Sequence, residues 1–291
     1  MSDGDRLFQN ETSGCFTVKH SSRHFNGKLV LNKQDVTNIL ANVRVILSHT
    51  SHPGNIGAAA RAMKTMGLEH LYLINPLKFP NHQAEVMAVS AVDILEKAVV
   101  CSSLEVALQG TVLVAGVSAR VRDISQEVLT PRDAMPQLVR HAVRNPVALL
   151  FGTEMSGLTN EELARCQFMV NIPANPEYSS LNLASAVQLI CYELRLAAGL
   201  GVIEAPKIVP APAEQLERYF VHLEQTLGEI GFLQTKHTTK LMHKLRRLFS
   251  RTRLEQEEIN ILRGILSAST EYHAKQQQKI NRKDTAHVQG N

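Results

Sequence analysis

The chain has 291 residues, of which 44% are hydrophobic and 20% are charged. This composition is typical of globular proteins and excludes a chain that is disordered throughout. Lysine and arginine number 31 against 27 acidic residues, so the net charge of +4 says little until its distribution is known. The longest apolar runs, such as Val147–Phe151, are far shorter than the roughly 20 residues that cross a membrane, and we expect no membrane segment.

The cysteine pattern and the first residues bear on the cellular compartment of the protein. No two of the four cysteines form a Cys-x-x-Cys pair, which argues against a structural zinc site and against a disulfide framework: Cys15, Cys101, Cys166 and Cys191. The opening segment, MSDGDRLFQN, lacks the basic stretch and apolar core of a secretory signal. We therefore expect a reduced, cytoplasmic protein without a metal site.

The first two thirds of the chain alternate between strand and helix patterns. Residues 1–40 are polar and aperiodic, and we expect a poorly ordered extension; the alternative is an ordered strand around Phe25 to Leu31. The predicted strands are 43–47, 70–74, 98–101, 111–117, 146–151 and 168–172, and the predicted helices are 56–66, 84–95, 104–108, 136–143, 160–166 and 183–199. Continuously apolar strands that alternate with helices predict a mainly parallel sheet covered on both faces, in one α/β domain over residues 41–201.

The last third is predicted to be helical. Prolines concentrated before Ala213 predict a linker over 202–213. A heptad stripe follows, either core or dimer seam: Leu216, Phe220, Leu223, Leu227 and Ile230. A second helix over 236–249 has Leu241, Leu245 and Leu248 on one face, and a third over 255–277 directs Ile259, Leu262 and Leu266 inward. The sequence therefore predicts a small helical domain over 214–278 and a frayed tail over 279–291.

Polar loops after the predicted strands are candidate binding sites, because ligands of such sheets bind beyond the carboxyl ends of the strands. Three of these loops, 52–61, 151–159 and 172–182, contain glycines or prolines that shape the backbone tightly. Neither G-x-G-x-x-G nor G-x-x-x-x-G-K occurs, so any adenosine cofactor must be held in another way. A fourth loop carries Arg120 and Arg122, either a phosphate clamp or a solvated basic loop.

A basic block lies in the second predicted helix of the C-terminal region. Between residues 236 and 253 there is no acidic residue, and seven residues are basic: Lys236, Lys240, Lys244, Arg246, Arg247, Arg251 and Arg253. A one-signed block of this kind suits a nucleic-acid backbone, and the alternative is a solvated face.

Three segments resemble the ordered motifs of the SPOUT RNA 2′-O-ribose methyltransferases: Asn55–Gly67, Leu149–Leu158 and Asn171–Glu193. The segment His243–Leu266 and the loop Val117–Asp123 resemble one subgroup, whose members modify nucleotide 32 in the anticodon loop of tRNA. The resemblance extends from Val43 to about Ala274. Residues 1–40 lie outside it.

The resemblance implies a SPOUT-type parallel sheet with a trefoil knot near the C-terminal end of the α/β domain, a homodimer, and bound S-adenosylmethionine. It places cofactor contacts at eight residues: Val117, Ser118, Ala119, Gly152, Ile172, Ser179, Ser180 and Leu181. Arg61 matches the family's catalytic arginine, and the other polar motif positions are Asn55, Glu154, Ser180 and Asn182. Because a guanidinium is effectively always protonated, we expect Arg61 to position the substrate and stabilise charge, and not to act as a base.

The function that the resemblance implies is S-adenosylmethionine-dependent 2′-O-methylation of cytidine or uridine at position 32 of tRNA. The basic helix then supplies RNA affinity through Lys240, Lys244, Arg246, Arg247 and Arg251, together with the Arg120 and Arg122 loop. Two alternatives remain open: a related enzyme that acts on ribosomal RNA or another tRNA position, and a non-catalytic RNA-binding protein with the same fold.

Overall fold

The computed structural model describes residues 24–25, 28–30, 33–119, 127–199, 202–203, 209–233 and 238–288. The strands are β1 His24–Phe25, β2 Lys28–Val30, β3 Val43–Ser48, β4 His70–Ile74, β5 Val99–Cys101, β6 Leu113–Val117, β7 Val128–Leu129, β8 Val147–Phe151, β9 Phe168–Val170 and β10 Val202–Ile203. The helices are α1 Lys33–Ala41, α2 Pro53–Met66, α3 His82–Ala88, α4 Val92–Glu96, α5 Leu104–Leu108, α6 Pro131–Ala142, α7 Asn160–Leu163, α8 Leu183–Ala198, α9 Ala213–Glu229, α10 Thr238–Thr252 and α11 Gln256–Val288.

Seven strands form a parallel sheet in the order β5-β4-β3-β8-β6-β9-β7. One apolar cluster joins the sheet to α1, α2, α6 and α8, and a second cluster, on the other face, joins it to α5 and α7. The central strands β3, β6 and β8 are buried along nearly their whole length, as strands covered on both faces must be. The predicted α/β fold with a parallel sheet is confirmed.

The structure differs from the sequence prediction at the N-terminal boundary. Helix α1 lies inside the segment predicted to be poorly ordered, and its Ile39 and Leu40 are buried against the sheet layer. The prediction is therefore wrong for this stretch: packing of these apolar side chains holds a short helix, although they are too few to show periodicity. Strands β1 and β2 pair with each other, and β2 also pairs with β10.

Some observed helix boundaries also differ from the predicted ones. Helix α6 begins at Pro131, five residues before the predicted start, because the Thr130 hydroxyl accepts from the Asp133 N–H and proline suits the first turn. Helix α11 continues past the predicted end to Val288. Among the described residues, no helix combines the length and the apolar character needed to cross a membrane.

The C-terminal helices form a third apolar cluster, centred on Phe220, Leu223, Met242 and Ile259. Four residues of the heptad stripe, Leu216, Phe220, Leu223 and Leu227, therefore pack in the core of this unit, whereas Ile230 follows the end of α9 and is not part of the cluster. Of the leucines predicted to share one face of the second helix, Leu245 packs against this cluster, whereas Leu248 is 48% exposed. The unit docks on the α/β domain near the amino ends of β6 and β9, where the Ala213 N–H donates to the Thr111 carbonyl (2.9 Å).

Candidate active site at the carboxyl edge of the sheet

A cavity opens at the carboxyl ends of β6, β8 and β9. The structure brings all eight residues of the predicted cofactor set to its wall: Val117, Ser118, Ala119, Gly152, Ile172, Ser179, Ser180 and Leu181. The sequence interpretation missed other wall residues, among them Phe151, Thr153, Met155, Ser156, Leu183 and Ala186. Most of these additional wall residues are close in sequence to the predicted cofactor residues. Extending the prediction to the whole of each loop would have found them.

A tight turn forms one wall of the cavity. The Thr153 N–H donates to the Gly157 carbonyl (3.2 Å), and the Gly157 N–H donates back to the Thr153 carbonyl (3.0 Å). Gly157 has a φ of +68°, a left-handed conformation that favours glycine. A Cβ on Gly152 would lie 2.1 Å from the Gly157 carbonyl carbon, so this approach of two backbone segments requires glycine.

Glu154, which projects from this turn, gathers hydrogen bonds from the loop after β3. Its carboxylate accepts from the Ser51 N–H (3.1 Å), the Ser51 hydroxyl (3.0 Å), the His52 N–H (3.3 Å) and the Asn55 side-chain amide (3.0 Å). Burial on its own would raise the pKa of Glu154, but the hydrogen bonds from Asn55 and from the backbone outweigh it and hold the pKa below its usual value. Glu154 is therefore ionised at neutral pH and serves as an acceptor.

Asn55 extends this network to the third loop. Its Oδ1 accepts from the Asn182 Nδ2 (3.0 Å), and the Asn182 Oδ1 caps α8 by accepting from the N–H groups of Ala184 and Ser185 (2.9 and 3.4 Å). The start of the same loop is held by Asn171, whose amide donates to the carbonyls of Ser118 and Ala119 (3.0 and 3.2 Å). Three loops far apart in sequence are thus joined around one cavity.

Arg61 lies within α2, outside the set of residues that line the cavity. The residue is exposed, and among the described residues its guanidinium forms no ion pair. Ser180 lines the cavity and is also exposed. The structure therefore joins Glu154, Asn55 and Asn182 directly, whereas Arg61 is held apart with its charge available to a ligand.

The basic helix α10 has two different faces. Lys240, Lys244, Arg247 and Arg251, spaced by four, three and four residues, share one face, and all of them except Arg247 are exposed. We call these four residues the basic stripe. Arg120, Arg122 and Lys236 lie outside the described residues.

Arg246 departs from the predicted RNA-binding set. Its guanidinium makes two 2.7 Å hydrogen bonds to the Glu217 carboxylate, lies 4.5 Å from the Phe220 ring centre, and is only 15% exposed. Glu217 also pairs with Arg165 of the α/β domain, which in turn contacts Glu105 (2.7 Å). Arg246 therefore fastens α10 to α9, whereas Arg165 joins the same glutamate to the first domain, and we remove Arg246 from the RNA-binding set.

Comparison with known proteins adds two family matches and a set of relatives. Residues 42–192 match the model of the SpoU rRNA methylase family, and residues 214–280 match that of the tRNA methyltransferase TrmJ C-terminal domain. The tRNA (cytidine/uridine-2′-O-)-methyltransferase TrmJ of Pectobacterium atrosepticum is 50% identical over 240 residues, which cover 81% of this chain and 99% of that protein. The protein of the same name from Yersinia enterocolitica is 48% identical, covering 79% and 92%.

A solved structure is similar to this chain over most of its length. The crystal structure of TrmJ from Z. mobilis ZM4 is similar with a TM-score of 0.70 and 34% sequence identity, and the match covers 77% of this chain and 97% of that chain. The similarity therefore spans both the sheet domain and the C-terminal helices.

Proposed function

The chain belongs to the SpoU methylase family and carries a TrmJ-type C-terminal domain, and from this membership we propose that it transfers a methyl group from S-adenosylmethionine to the ribose 2′-hydroxyl of cytidine or uridine in tRNA. The observation that carries the proposal is the near-complete coverage of a 50% identical tRNA methyltransferase. The TrmJ-type C-terminal domain favours tRNA over ribosomal RNA as the substrate.

The cavity fits the cofactor. Its wall combines apolar side chains, such as Val117 and Leu183, with the hydroxyls of Ser118, Ser179 and Ser180, a mixture that suits a nucleoside with an amino-acid tail. The close approach of Gly152 to Gly157 leaves part of the cavity wall to backbone rather than to side chains. When bound, S-adenosylmethionine supplies an electrophilic methyl carbon on a sulfonium, so the chain's own residues need only align and activate the 2′-hydroxyl.

Arg61 is the residue we assign to that activation. Its guanidinium forms no ion pair among the described residues. It can hold the phosphate next to the target ribose and stabilise negative charge that develops on the 2′-oxygen while the hydroxyl proton passes to that phosphate, to Ser180 or to water. Ser180, on the cavity wall, is placed to orient the hydroxyl.

Glu154, Asn55 and Asn182 act by positioning. The Glu154 carboxylate accepts hydrogen bonds from four donors. The Asn55 amide bonds Glu154 and Asn182, and the Asn182 amide bonds Asn55 and the backbone of α8. None of the three is therefore a proton acceptor in this proposal. They fix the loop that carries Ser180 relative to α2, which carries Arg61.

We also propose that the chain forms a homodimer through helix α8. Helix α8 exposes Leu189, Tyr192 and Leu196, spaced by three and four residues and each more than 40% exposed. This apolar stripe follows directly from the third cavity loop and suits the homodimer that the family resemblance implies, with the trefoil knot in the same region. We include position 32 of tRNA as the target, because residues 243–266 resemble the subgroup that methylates that nucleotide. A cytoplasmic location belongs to the same proposal.

The test is a methyl-transfer assay with tritiated S-adenosylmethionine and two substrates, unmodified bulk tRNA and ribosomal RNA. We expect label in tRNA, at the ribose of nucleotide 32 when the product is mapped. Label in ribosomal RNA alone would support the alternative substrate. No transfer to either RNA, by a folded protein that binds the cofactor, would support the non-catalytic alternative.

A further inference from the structure

A large aromatic side chain stands in solvent at the rim of the cavity. Tyr178 is 80% exposed, although it directly precedes Ser179, Ser180 and Leu181, which line the cavity. Among the described residues its ring contacts no other aromatic ring and its hydroxyl makes no hydrogen bond. An exposed tyrosine beside a cavity is an amphipathic surface that is available to a ligand.

The loop holds Tyr178 in place. Pro173 and Pro176 restrict its backbone, the Tyr178 N–H donates to the Asn175 carbonyl (2.9 Å), and the Glu177 N–H donates to the Asn175 side chain (3.1 Å). The ends of the loop are anchored at Asn171 and Asn182. The ring is therefore presented by a rigid support, which lowers the entropy cost of binding a ligand there.

A second apolar side chain lies on another loop of the same cavity. Met155, at the tip of the turn between Thr153 and Gly157, lines the cavity and is 86% exposed. A methionine is flexible and polarisable and adapts to a flat ring. Exposed side chains with apolar surface thus stand on two of the loops that form this cavity.

We propose that Tyr178, together with Met155 on another loop of the cavity, is a stacking platform for the pyrimidine base whose ribose is methylated. The inference rests on the proposed function. Bases in single-stranded RNA loops are commonly bound by stacking on aromatic side chains. Stacking accepts cytosine and uracil alike, because both have a π face, whereas a hydrogen-bond reader would separate the amino donor of cytosine from the carbonyl acceptor of uracil. The platform therefore gives affinity without selecting between the two bases.

Kinetics of two variants test the contact. We expect Tyr178→Ala to lower kcat/KM by about 5- to 150-fold on both cytidine and uridine tRNAs, the range for loss of one stacked base. Tyr178→Phe, which keeps the ring, should retain the wild-type value within about twofold. Cofactor affinity by calorimetry, melting temperature and oligomeric state should match the wild type in both variants.

A fluorescence titration tests it directly, because the chain contains no tryptophan. Tyr178→Trp introduces a single probe, whose emission should be quenched by tRNA and much less by the same tRNA lacking only the target base. Tyr272→Trp, at a 66% exposed position on α11, is the matched control and should respond equally to both RNAs.

The proposal is overturned if the Ala and Phe variants behave alike, if Tyr178→Ala loses cofactor affinity or its dimer, or if the Tyr178→Trp variant responds equally to both RNAs. Any of these results with an active wild-type enzyme leaves the proposed methyltransferase function standing. Absence of tRNA methylation by the wild type would instead refute the proposed function.

Discussion

Gly152→Ala is the smallest change that should disable the cavity. A Cβ at this position would lie 2.1 Å from the Gly157 carbonyl carbon, 2.3 Å from its oxygen and 2.3 Å from the Leu158 nitrogen. All three are backbone atoms, so no side chain can rotate away. The two backbone segments would have to separate by more than about 1 Å to restore ordinary contacts.

The cost of that separation follows from what the turn holds together. Opening it strains or breaks the two hydrogen bonds between Thr153 and Gly157, each with a net contribution of about 0.5–1.5 kcal/mol. We therefore expect a loss of about 1–3 kcal/mol in folding free energy. The larger effect is on function, since a 1 Å misplacement in an active site can lower the rate roughly 100-fold.

Thermal melting with and without S-adenosylmethionine, together with the tritiated-methyl assay, measures both effects. Cofactor at about 100 times its Kd should stabilise the wild type by roughly 2.7 kcal/mol, and this stabilisation should be absent in Gly152→Ala. Gly228→Ala is the control, because a Cβ on Gly228 in α9 meets no atom within 4 Å. A Gly152→Ala protein with the wild-type cofactor shift and rate would refute the reasoning.

Three further predictions concern Arg61, the basic stripe and Glu154. Arg61→Ala should lower methyl transfer at least about tenfold while calorimetry finds nearly unchanged cofactor affinity, and a smaller loss of rate would contradict its role. Changing the basic stripe to glutamine should weaken tRNA binding and lower the slope of log K against log salt by up to about 3, whereas Arg246→Gln should lower the melting temperature instead. The pKa of Glu154 is held below its usual value, so the ionised carboxylate contributes stability above pH 4.5 that is lost as the pH falls through its folded-state pKa. In urea unfolding, Glu154→Gln should therefore reduce the loss of stability between neutral and acid pH. An unchanged dependence of stability on acid pH would exclude the effect.

The sheet and the cavity loops could be predicted because they depend on local signals. Continuous apolar runs such as those of β3 and β8 show burial on both faces, and parallel strands bring the loops that follow them to one edge. The hydrogen-bond network around Glu154 could not be predicted in this way. Its partner Asn55 is 99 residues distant, and no periodicity encodes which side chains meet across such a separation.

The error at Arg246 has a different origin. The basic block suggests a single surface because all its charges have the same sign, but helical geometry divides it. Lys240, Lys244 and Arg247 fall on one side of α10, whereas Arg246 falls on the side that packs on α9. Applying the 3.6-residue period to charges as well as to leucines would have separated them. The acceptor Glu217, which fixes Arg246, lies on another helix and could be identified only from the structure.

The docking of the helical unit constrains how an RNA substrate can lie. The unit contacts the α/β domain at Thr111, before β6, whereas the cavity begins at Val117 and Ser118, at the other end of the same strand. At about 3.3 Å per residue, these two ends are roughly 20 Å apart. The Arg165–Glu217 ion pair joins the unit to the α/β domain, and the Arg246–Glu217 ion pair joins α10 to α9, an arrangement that favours a fixed place for the basic stripe. Under the proposed function, the stripe would then bind a part of the tRNA distant from the methylated nucleotide, or serve the cavity of a second copy, so that separate surfaces would carry RNA affinity and chemistry.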